Sequence, residues 1–587
     1  MSLHVGDVPD EVDVLVIGSG FGGSVIAARL AKEGRHVCVV ERGKSYPPGS
    51  FPRTPAGLSA NFWDPSDGLH GMFDVWSFRS LDAVVSSGLG GGSLIYANVM
   101  LRKPEAWFSH PHPYQPGVQE QWTFGYGDLE PHYHNVEQFL RVQTLPNPET
   151  DVDVPAGFNL PKTAAFRAAA GSVVPVHYAP LAVRFRGEGD VAGIGLPLPD
   201  EEYPNIFGVP RRTCRMLGEC DVGCNEGAKN SLDHTYLSAA SSYGASIHER
   251  TEVRRITRPA DDGFFHVDVV VHRPEQEGVP TPTRQLPAST IRARRVVVSA
   301  GTLGSTFLLL ANRQRLGLDN PALGSRFCGN GDLLGFIRNA GSELQSTLGP
   351  VITAYAGYPD KTDTGSSEDH GMYIQDAGFP VFAAWLTEVS QASGLARRSV
   401  STLIRRGAAR LAGHRNTAFS HDITQILGRG QFSSRALPIL GMGRDVPDGT
   451  LYLRDETCDP PMLDSTWTTR TSTRYFEMMI ARMRAIADVL DGDFTINPTY
   501  LLRRVITVHP LGGCPASTNV SRGVVDGWGN VYGVPGLRVC DGSVFPGPVG
   551  ANPSLTIAAF ADRVADSLLD ESLSDPPPNV AEFVGTP

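Results

Sequence analysis

The chain has 587 residues, several times a typical domain of about 100 to 150 residues, so we expect two interleaved domains. Hydrophobic residues make up 41% and charged residues 19%, and no apolar run approaches the roughly 20 residues that cross a bilayer, which excludes disordered, fibrous and integral-membrane proteins. The 51 basic and 62 acidic side chains give a net charge of −11, which argues against a nucleic-acid partner held by an overall positive surface.

Residues 1–16 and the cysteine content indicate the compartment. This segment lacks the charged start, the apolar core and the twin arginines of secretion signals. Eight cysteines in so long a chain do not suggest a disulfide framework. We therefore predict a soluble, cytoplasmic protein.

The first predicted elements are a strand, a glycine turn and a helix. Residues 13–17 (DVLVI) form a short apolar run rich in β-branched residues, and Ile26, Ala27 and Leu30 have helical spacing. The glycines between them, in the pattern G-x-G-x-x-G, are Gly18, Gly20 and Gly23. In such a unit the first glycine permits the turn, the second lets backbone reach a pyrophosphate, and the third lets helix pack on strand.

A second strand completes a βαβ unit. Residues 37–40 (VCVV) form an apolar run that ends at Glu41, whose carboxylate can accept hydrogen bonds from a ribose diol. The flanking strands and this acid favour a dinucleotide site over a mere tight turn, but the unit alone does not separate FAD from NAD.

A second glycine cluster follows an apolar segment and begins at Gly88. It contains Gly91, Gly92 and Ser93. The cluster is either a flexible surface loop or a place where backbone approaches a second part of a large cofactor. Its position between apolar segments favours the second interpretation.

The carboxyl-terminal region combines a strand, an acid and a helix start. The strand-like residues 537–540 lead to Asp541 and Gly542. Further on, Asn552 is typical of a helix N-cap and Pro553 of the first helical position, and Ser554 follows. The positive end of that helix would stabilise the anion of a reduced flavin.

Together these motifs identify a resemblance. They are GSGFGGSVIAARL, GLGGGSL, NEGAKNSLDHTYLSAA, VVVSAGTLGSTFLLL, HPLGGC, DGSVFP and NPSLTI. In this order they resemble the glucose-methanol-choline (GMC) flavoprotein oxidoreductases, and within them the bacterial cholesterol oxidase type. The resemblance implies FAD as cofactor, with Val253 near adenine, Gly91 and Gly92 near the isoalloxazine, and Asp541 near the ribityl or pyrophosphate part.

The predicted fold class is α/β, with a discontinuous Rossmann-type FAD-binding domain and an interleaved α+β substrate domain built on an antiparallel sheet. Rossmann-like patterns recur in three stretches, which place the FAD-binding domain at residues 1–100, 225–325 and 500–575. The substrate-binding domain is expected at residues 101–224 and 326–499, and residues 576–587 are expected to be a disordered tail.

His509 and Asn552 are the predicted catalytic pair. His509 follows a strand-like run, residues 505–508, and precedes a glycine turn. The resemblance implies a histidine here beside the flavin N5 atom and a second histidine or an asparagine, which is Asn552 in this chain. Oxidising an alcohol requires one group to accept or orient the hydroxyl proton and another to fix the oxygen. Asn552 cannot use the same oxygen both as N-cap and as substrate ligand.

Two positions depart from the pattern of the resembled enzymes. Gln375 occupies the place of a glutamate that shuttles a proton when cholesterol oxidases move a double bond, and an amide cannot act as that base. Either the neighbouring Asp376 substitutes or the isomerisation is absent. Tyr96 replaces an asparagine beside the flavin, which leaves the reactivity toward oxygen open.

Three cysteines, Cys214, Cys220 and Cys224, lie within eleven residues. They are either buried thiols or, with the same spacing as in bacterial FAD glucose dehydrogenases, ligands of a three-iron, four-sulfur (3Fe–4S) cluster. A cluster would pass electrons to an external acceptor, and its absence would favour direct reaction with oxygen.

Residues 395–415 carry six arginines among apolar residues at helical spacing. They form either a solvated helix packed on the core or a lid that contacts an anionic membrane surface.

The leading hypothesis is an FAD-dependent enzyme that oxidises a 3β-hydroxysteroid or a similarly bulky apolar alcohol, with oxygen or an electron-transfer partner as acceptor. The alternatives are a dehydrogenase of a sugar or another alcohol that uses an iron–sulfur relay, and a catalytically silent electron-transfer flavoprotein. Retention of His509 and Asn552 argues against the last alternative.

Overall fold

The computed structural model describes most of the chain. The described residues are 3–115, 117–151, 153–199, 201–259, 262–359, 371–380, 433–454 and 461–570. The predicted basic helix at 395–415 and the predicted tail at 576–587 lie outside them. Within these ranges, every helix is too short or too polar to cross a membrane.

An eight-stranded sheet carries the amino-terminal βαβ unit. Its strands are, in spatial order, Leu3–His4, Ser246–His248, Val37–Val40, Glu11–Ile17, Ala288–Val298, Phe265–Val271 and Thr251–Thr257, with Leu537–Val539 paired to Ala288–Val298. The central strands are parallel and the last two are antiparallel. Val37–Val40 is buried at every residue, as its apolar sequence predicts. The prediction of a Rossmann-type fold assembled from three separate stretches of sequence is confirmed.

Helices pack on this sheet and on one another. They are Phe21–Lys32, Tyr126–Phe139, Tyr236–Ser242, Gly301–Leu316 and Ser554–Leu569. Phe21–Lys32 packs against Ser554–Leu569, and Arg29 on the first helix forms an ion pair with the buried Asp562 on the second. The carboxyl-terminal helix therefore belongs to the same layer as the helix of the βαβ unit.

A six-stranded antiparallel sheet forms the second core. Its strands are, in spatial order, Val176–Tyr178, Ala354–Tyr358, Met372–Asp376, Leu437–Gly443, Leu333–Arg338 and Asp493–Ile496. The helices Pro161–Gly171 and Thr473–Val489 pack on it. The prediction of a second, interleaved domain built on an antiparallel sheet is confirmed.

A three-stranded sheet brings two predicted motifs to one edge. Leu81–Ser86 pairs with Phe73–Ser77 on one side and runs parallel to Val505–Thr507 on the other. The second glycine cluster follows Leu81–Ser86, and His509 follows Val505–Thr507. Because the strands are parallel neighbours, both motifs leave the same edge of the sheet. The short two-stranded pairs are Trp63–Asp64 with Leu69–His70, Ser109–Pro111 with Gln119–Gln121, and Leu451–Leu453 with Leu463–Ser465.

Candidate active site

The three predicted glycines of the first motif have different surroundings. Gly18 has φ +98°, and a Cβ added to it would lie 2.4 Å from the Ser299 carbonyl oxygen. A Cβ added to Gly23 would lie 2.0 Å from the Gly18 oxygen. Gly20 has φ −71°, and no atom lies within 4 Å of an added Cβ. Gly18 and Gly23 are therefore required by the protein's own packing, whereas Gly20 borders open space.

The two glycine clusters are in contact. The Gly90 backbone N–H donates to the Ser19 hydroxyl at 2.9 Å, and a Cβ added to Gly91 would lie 2.7 Å from the Gly20 Cα. Gly92 has open space in front of it. The Ser93 hydroxyl is engaged within the protein, since it donates to the Gly90 carbonyl and accepts from the Leu232 N–H. Gly20 and Gly92 thus border open space on neighbouring segments.

Glu41 lies at the end of its strand, as predicted, and is buried. Its carboxylate accepts hydrogen bonds from Ser19 and from the Gly43 N–H, and burial raises the pKa of the carboxyl above its usual value. The strand that contains Val253 begins next to it, where the Thr251 N–H donates to the Glu41 carbonyl at 2.7 Å. Val253 is itself buried.

Asp541 joins the carboxyl-terminal segment to a second helix of the large sheet. Its carboxylate accepts hydrogen bonds from the Gly301 N–H at 3.0 Å and from the Ser543 N–H at 2.9 Å, and burial raises its pKa. Gly542 packs closely, because an added Cβ would lie 2.8 Å from the Leu511 side chain. Asp541 therefore orders the glycine turn at the start of Gly301–Leu316.

The predicted N-cap at Asn552 is wrong. The helix starts at Ser554, Pro553 occupies the N-cap position, and no side chain caps the helix. The Asn552 Oδ1 atom instead accepts a hydrogen bond from the Gln375 amide at 2.8 Å, and the Ser554 hydroxyl donates to the Val99 carbonyl. Since Gln375 occupies the oxygen of Asn552, the amide NH2 group is the part of this side chain that can serve a substrate.

His509 has a partner that the sequence did not predict. Its Nδ1 atom lies 2.8 Å from Oδ1 of Asp332, and the His509 side chain is 13% exposed while that of Asp332 is 1% exposed. A buried carboxylate accepts the Nδ1–H, so the neutral ring keeps a lone pair on Nε2. The ring can therefore accept a proton at Nε2.

Three thiols line one small cavity of about 30 Å³. Cys214, Cys220 and Cys224 share this cavity with Asn98 and Lys229. In the described part of the chain, no group of three or more histidine, cysteine or acidic side chains could hold a metal ion. Burial raises the pKa of Cys214 and Cys220 above the usual value of a thiol. The predicted cluster ligands are not supported as a metal site.

Tyr96 lies between the second glycine cluster and the cysteines. Its ring packs against Phe21 and beneath the Lys229 ammonium, 4.7 Å from the ring centroid. Lys229 in turn donates to the Leu94 and Cys220 carbonyls. Tyr96 thus fills space next to the glycine turn with a half-buried aromatic ring.

Comparison with known proteins identifies the family. Residues 208–328 and 445–561 match the GMC oxidoreductase domains, and residues 16–49 match an NAD(P)-binding Rossmann-like domain. A cholesterol oxidase of Mycobacterium tuberculosis is 30% identical over 94% of this chain and 90% of its own length, and one of Acinetobacter baumannii is 27% identical over 94% and 93%. The chain belongs to the GMC oxidoreductase family.

The fold of this GMC oxidoreductase also matches a solved structure. The crystal structure of pyridoxine 4-oxidase from Mesorbium loti superposes with a TM-score of 0.57, at 16% identity, over 96% of this chain and all of that one. Family membership makes the protein an FAD-dependent oxidoreductase of alcohols.

The residues present fit FAD. Gly20 and Gly92 border open space on adjoining segments, so that the backbone can approach a ligand closely. The helix Phe21–Lys32 begins at Gly20 with no side-chain cap and no acidic residue in its first turn. Its free N–H groups suit a pyrophosphate, and the buried Glu41 suits a ribose diol.

Proposed function

We propose that this GMC oxidoreductase oxidises a bulky secondary alcohol, a 3β-hydroxysteroid such as cholesterol or a similar compound, to the ketone. The observation that carries the proposal is the Asp332–His509 pair at 2.8 Å, next to the segment that contains the glycine cluster. The similarity to two cholesterol oxidases over nearly the whole chain supports the steroid class. The described parts of residues 101–224 and 326–499 would form the walls of the substrate pocket.

In this proposal His509 and Asn552 contact different atoms of the substrate hydroxyl group. The Nε2 atom of His509 accepts the hydroxyl proton, and the Nδ2 amide group of Asn552 donates a hydrogen bond to the substrate oxygen. FAD, when bound, supplies the acceptor for the hydride that leaves the carbinol carbon. The glycines Gly18, Gly20, Gly23, Gly91 and Gly92, together with Glu41, would hold the cofactor.

We further propose that the product leaves without movement of a double bond. Gln375 is an amide and is hydrogen-bonded to Asn552, so it cannot shuttle a proton. Asp376 is fully buried, accepts hydrogen bonds from the Thr353 and Ala354 N–H groups, and lies 3.3 Å from the ammonium of the buried Lys162. A carboxylate held in this way does not replace the missing base.

Two candidate functions, an oxidase and a dehydrogenase, differ in their electron acceptor. Direct reaction with oxygen is the first candidate, because the similar proteins of Mycobacterium tuberculosis and Acinetobacter baumannii are oxidases. A dehydrogenase with an iron–sulfur relay is the second candidate, because Lys229 links the glycine cluster at Leu94 with Cys220. Two measurements distinguish the oxidase from the dehydrogenase. They are the iron and acid-labile sulfide content of the purified protein and the release of hydrogen peroxide during turnover. Stoichiometric iron without peroxide supports the relay, and peroxide without iron supports the oxidase.

The substrate class is tested by product analysis. Purified holoenzyme is incubated with cholesterol, a long-chain primary alcohol and glucose, and products are identified by mass spectrometry. The steroid proposal predicts the 3-ketone with its double bond unmoved, lost in His509→Ala and retained in His36→Ala, a control at an exposed histidine. A product from glucose alone would contradict the steroid proposal.

A further inference from the structure

A tight turn at residues 329–332 lies between the two predicted catalytic residues. Asn330 and Gly331 both have positive φ angles, +55° and +66°, and Asn330 and Asp332 are almost completely buried. A positive φ angle costs a residue with a Cβ atom, such as Asn330, more than it costs a glycine, and it persists where the surroundings hold it. Here the Tyr475 hydroxyl donates to the Gly331 carbonyl, and the Gly329 N–H donates to Asp445.

The first side chain of this turn holds the segment that leads into Asn552. The Asn330 Oδ1 atom accepts the Gly550 N–H at 2.7 Å, and its Nδ2 group donates to the Ala551 carbonyl at 2.9 Å. Both partners directly precede Asn552. The amide of Asn330 therefore fixes the backbone from which the Asn552 side chain projects.

The second side chain of the turn holds His509. One oxygen of Asp332 faces the His509 Nδ1 atom, and the other accepts hydrogen bonds from the Val508 N–H at 2.9 Å and the Thr507 hydroxyl at 2.8 Å. The carboxylate thus fixes both the strand end and the ring. A carboxylate has no proton to donate, so this arrangement selects the tautomer with its proton on Nδ1.

We propose that the turn at residues 329–332 is the positioning element of the reaction, with Asp332 setting the tautomer and orientation of His509 and Asn330 setting the position of Asn552. The inference rests on the proposed function, because it assigns these two residues to the chemistry. It adds that their mutual placement is fixed by two side chains only two positions apart in the sequence. The expectation is that each side chain controls one partner independently.

Two measurements that need no substrate test the two halves of this proposal. Histidine-selective nitrogen NMR of the holoenzyme, with the His509 signal assigned by its loss in His509→Ala, should show the proton on Nδ1 in the wild type. In Asp332→Asn the amide can donate to Nδ1, and the proton should move to Nε2. An unchanged tautomer in Asp332→Asn would overturn the role of Asp332.

Hydrogen exchange followed by mass spectrometry tests the second half. Asn330→Gly removes the side chain without strain, because glycine accepts the positive φ angle. The peptide that contains Gly550 should then exchange faster, and it should stay protected in Asp332→Asn. Asn339→Gly is the matched control, since Asn339 also has a positive φ, +53°, but is exposed. Unchanged protection in Asn330→Gly would overturn the role of Asn330.

Turnover then separates failure of this inference from failure of the proposed function. With cholesterol, Asp332→Asn should lower kcat about 100-fold, the lower range of what positioned acid–base groups contribute, with a smaller change in KM and an altered pH profile. Asp493→Asn, at an exposed aspartate, should leave both unchanged. Wild-type turnover in His509→Ala would refute the proposed function. Loss of turnover in His509→Ala together with full turnover in Asp332→Asn and Asn330→Gly would refute only the positioning role.

Discussion

The substitution Gly20→Ala should remove FAD from a folded protein. Gly20 has φ −71°, an angle that alanine adopts freely, and no protein atom lies within 4 Å of the added Cβ. The fold should therefore be unharmed, with a gain of about 0.4–1 kcal/mol from the stiffer unfolded chain. The methyl group would occupy the space where a pyrophosphate meets the helix N-terminus. Losing one hydrogen bond to a charged group costs about 1.5–3 kcal/mol, which weakens FAD binding roughly 10- to 150-fold.

The assay is FAD release followed by fluorescence, together with thermal unfolding of the FAD-free protein. Gly127→Ala is the matched control, because Gly127 lies exposed in the helix Tyr126–Phe139, has open space at its Cβ, and should leave FAD affinity unchanged. Gly22→Ala is the opposite control, because its Cβ would lie 1.7 Å from the Cys540 oxygen and the protein should fail to fold. Wild-type FAD affinity in Gly20→Ala would refute the assignment of this cradle.

The remaining predictions concern stability and the substrate contact. Burial raises the pKa of Asp445 to about 8 from 3.8, so between these pH values the folded state keeps a proton that the unfolded state releases. The stability of the fold should therefore fall as pH rises through this range. Asp445→Asn should flatten this pH dependence of the thermal unfolding temperature, and an equal slope in both proteins would contradict the buried proton. Lys162→Met should lower the free energy of unfolding in urea by about 3–5 kcal/mol, because it leaves the buried Asp376 without its cation. A decrease below about 1 kcal/mol would contradict the pairing. Gln375→Glu should lower kcat/KM for cholesterol, because a carboxylate would draw the Asn552 NH2 group away from the substrate. The expected decrease is about tenfold, the effect of losing one hydrogen bond worth about 1.4 kcal/mol. An undiminished kcat/KM would contradict the proposed orientation of Asn552.

Sequence reasoning succeeded where the signal is local. The βαβ unit depends on residues close together in the chain, and the structure has its strands at Glu11–Ile17 and Val37–Val40 with the helix Phe21–Lys32 between them. The antiparallel sheet of the second core was likewise predicted in kind, although the pairing of its strands was not.

Sequence reasoning failed where the partner is distant. Gln375 and Asn552 are 177 positions apart, and so are Asp332 and His509. Asn552 has the local features of an N-cap, but its oxygen is taken by a side chain that no local pattern reveals. The cysteine spacing, in turn, does not indicate how the three side chains are arranged in the fold. Tertiary contacts decided each of these outcomes.

The proposed site of alcohol oxidation in this chain is formed by His509 and Asn552. The most direct test is an anaerobic visible spectrum of the purified holoenzyme before and after addition of cholesterol. The flavin band should bleach in the wild type and in His36→Ala, and it should stay unbleached in His509→Ala. Bleaching of equal rate in His509→Ala would contradict the assigned site, and a flavin that cholesterol leaves unbleached in the wild type would contradict the steroid substrate.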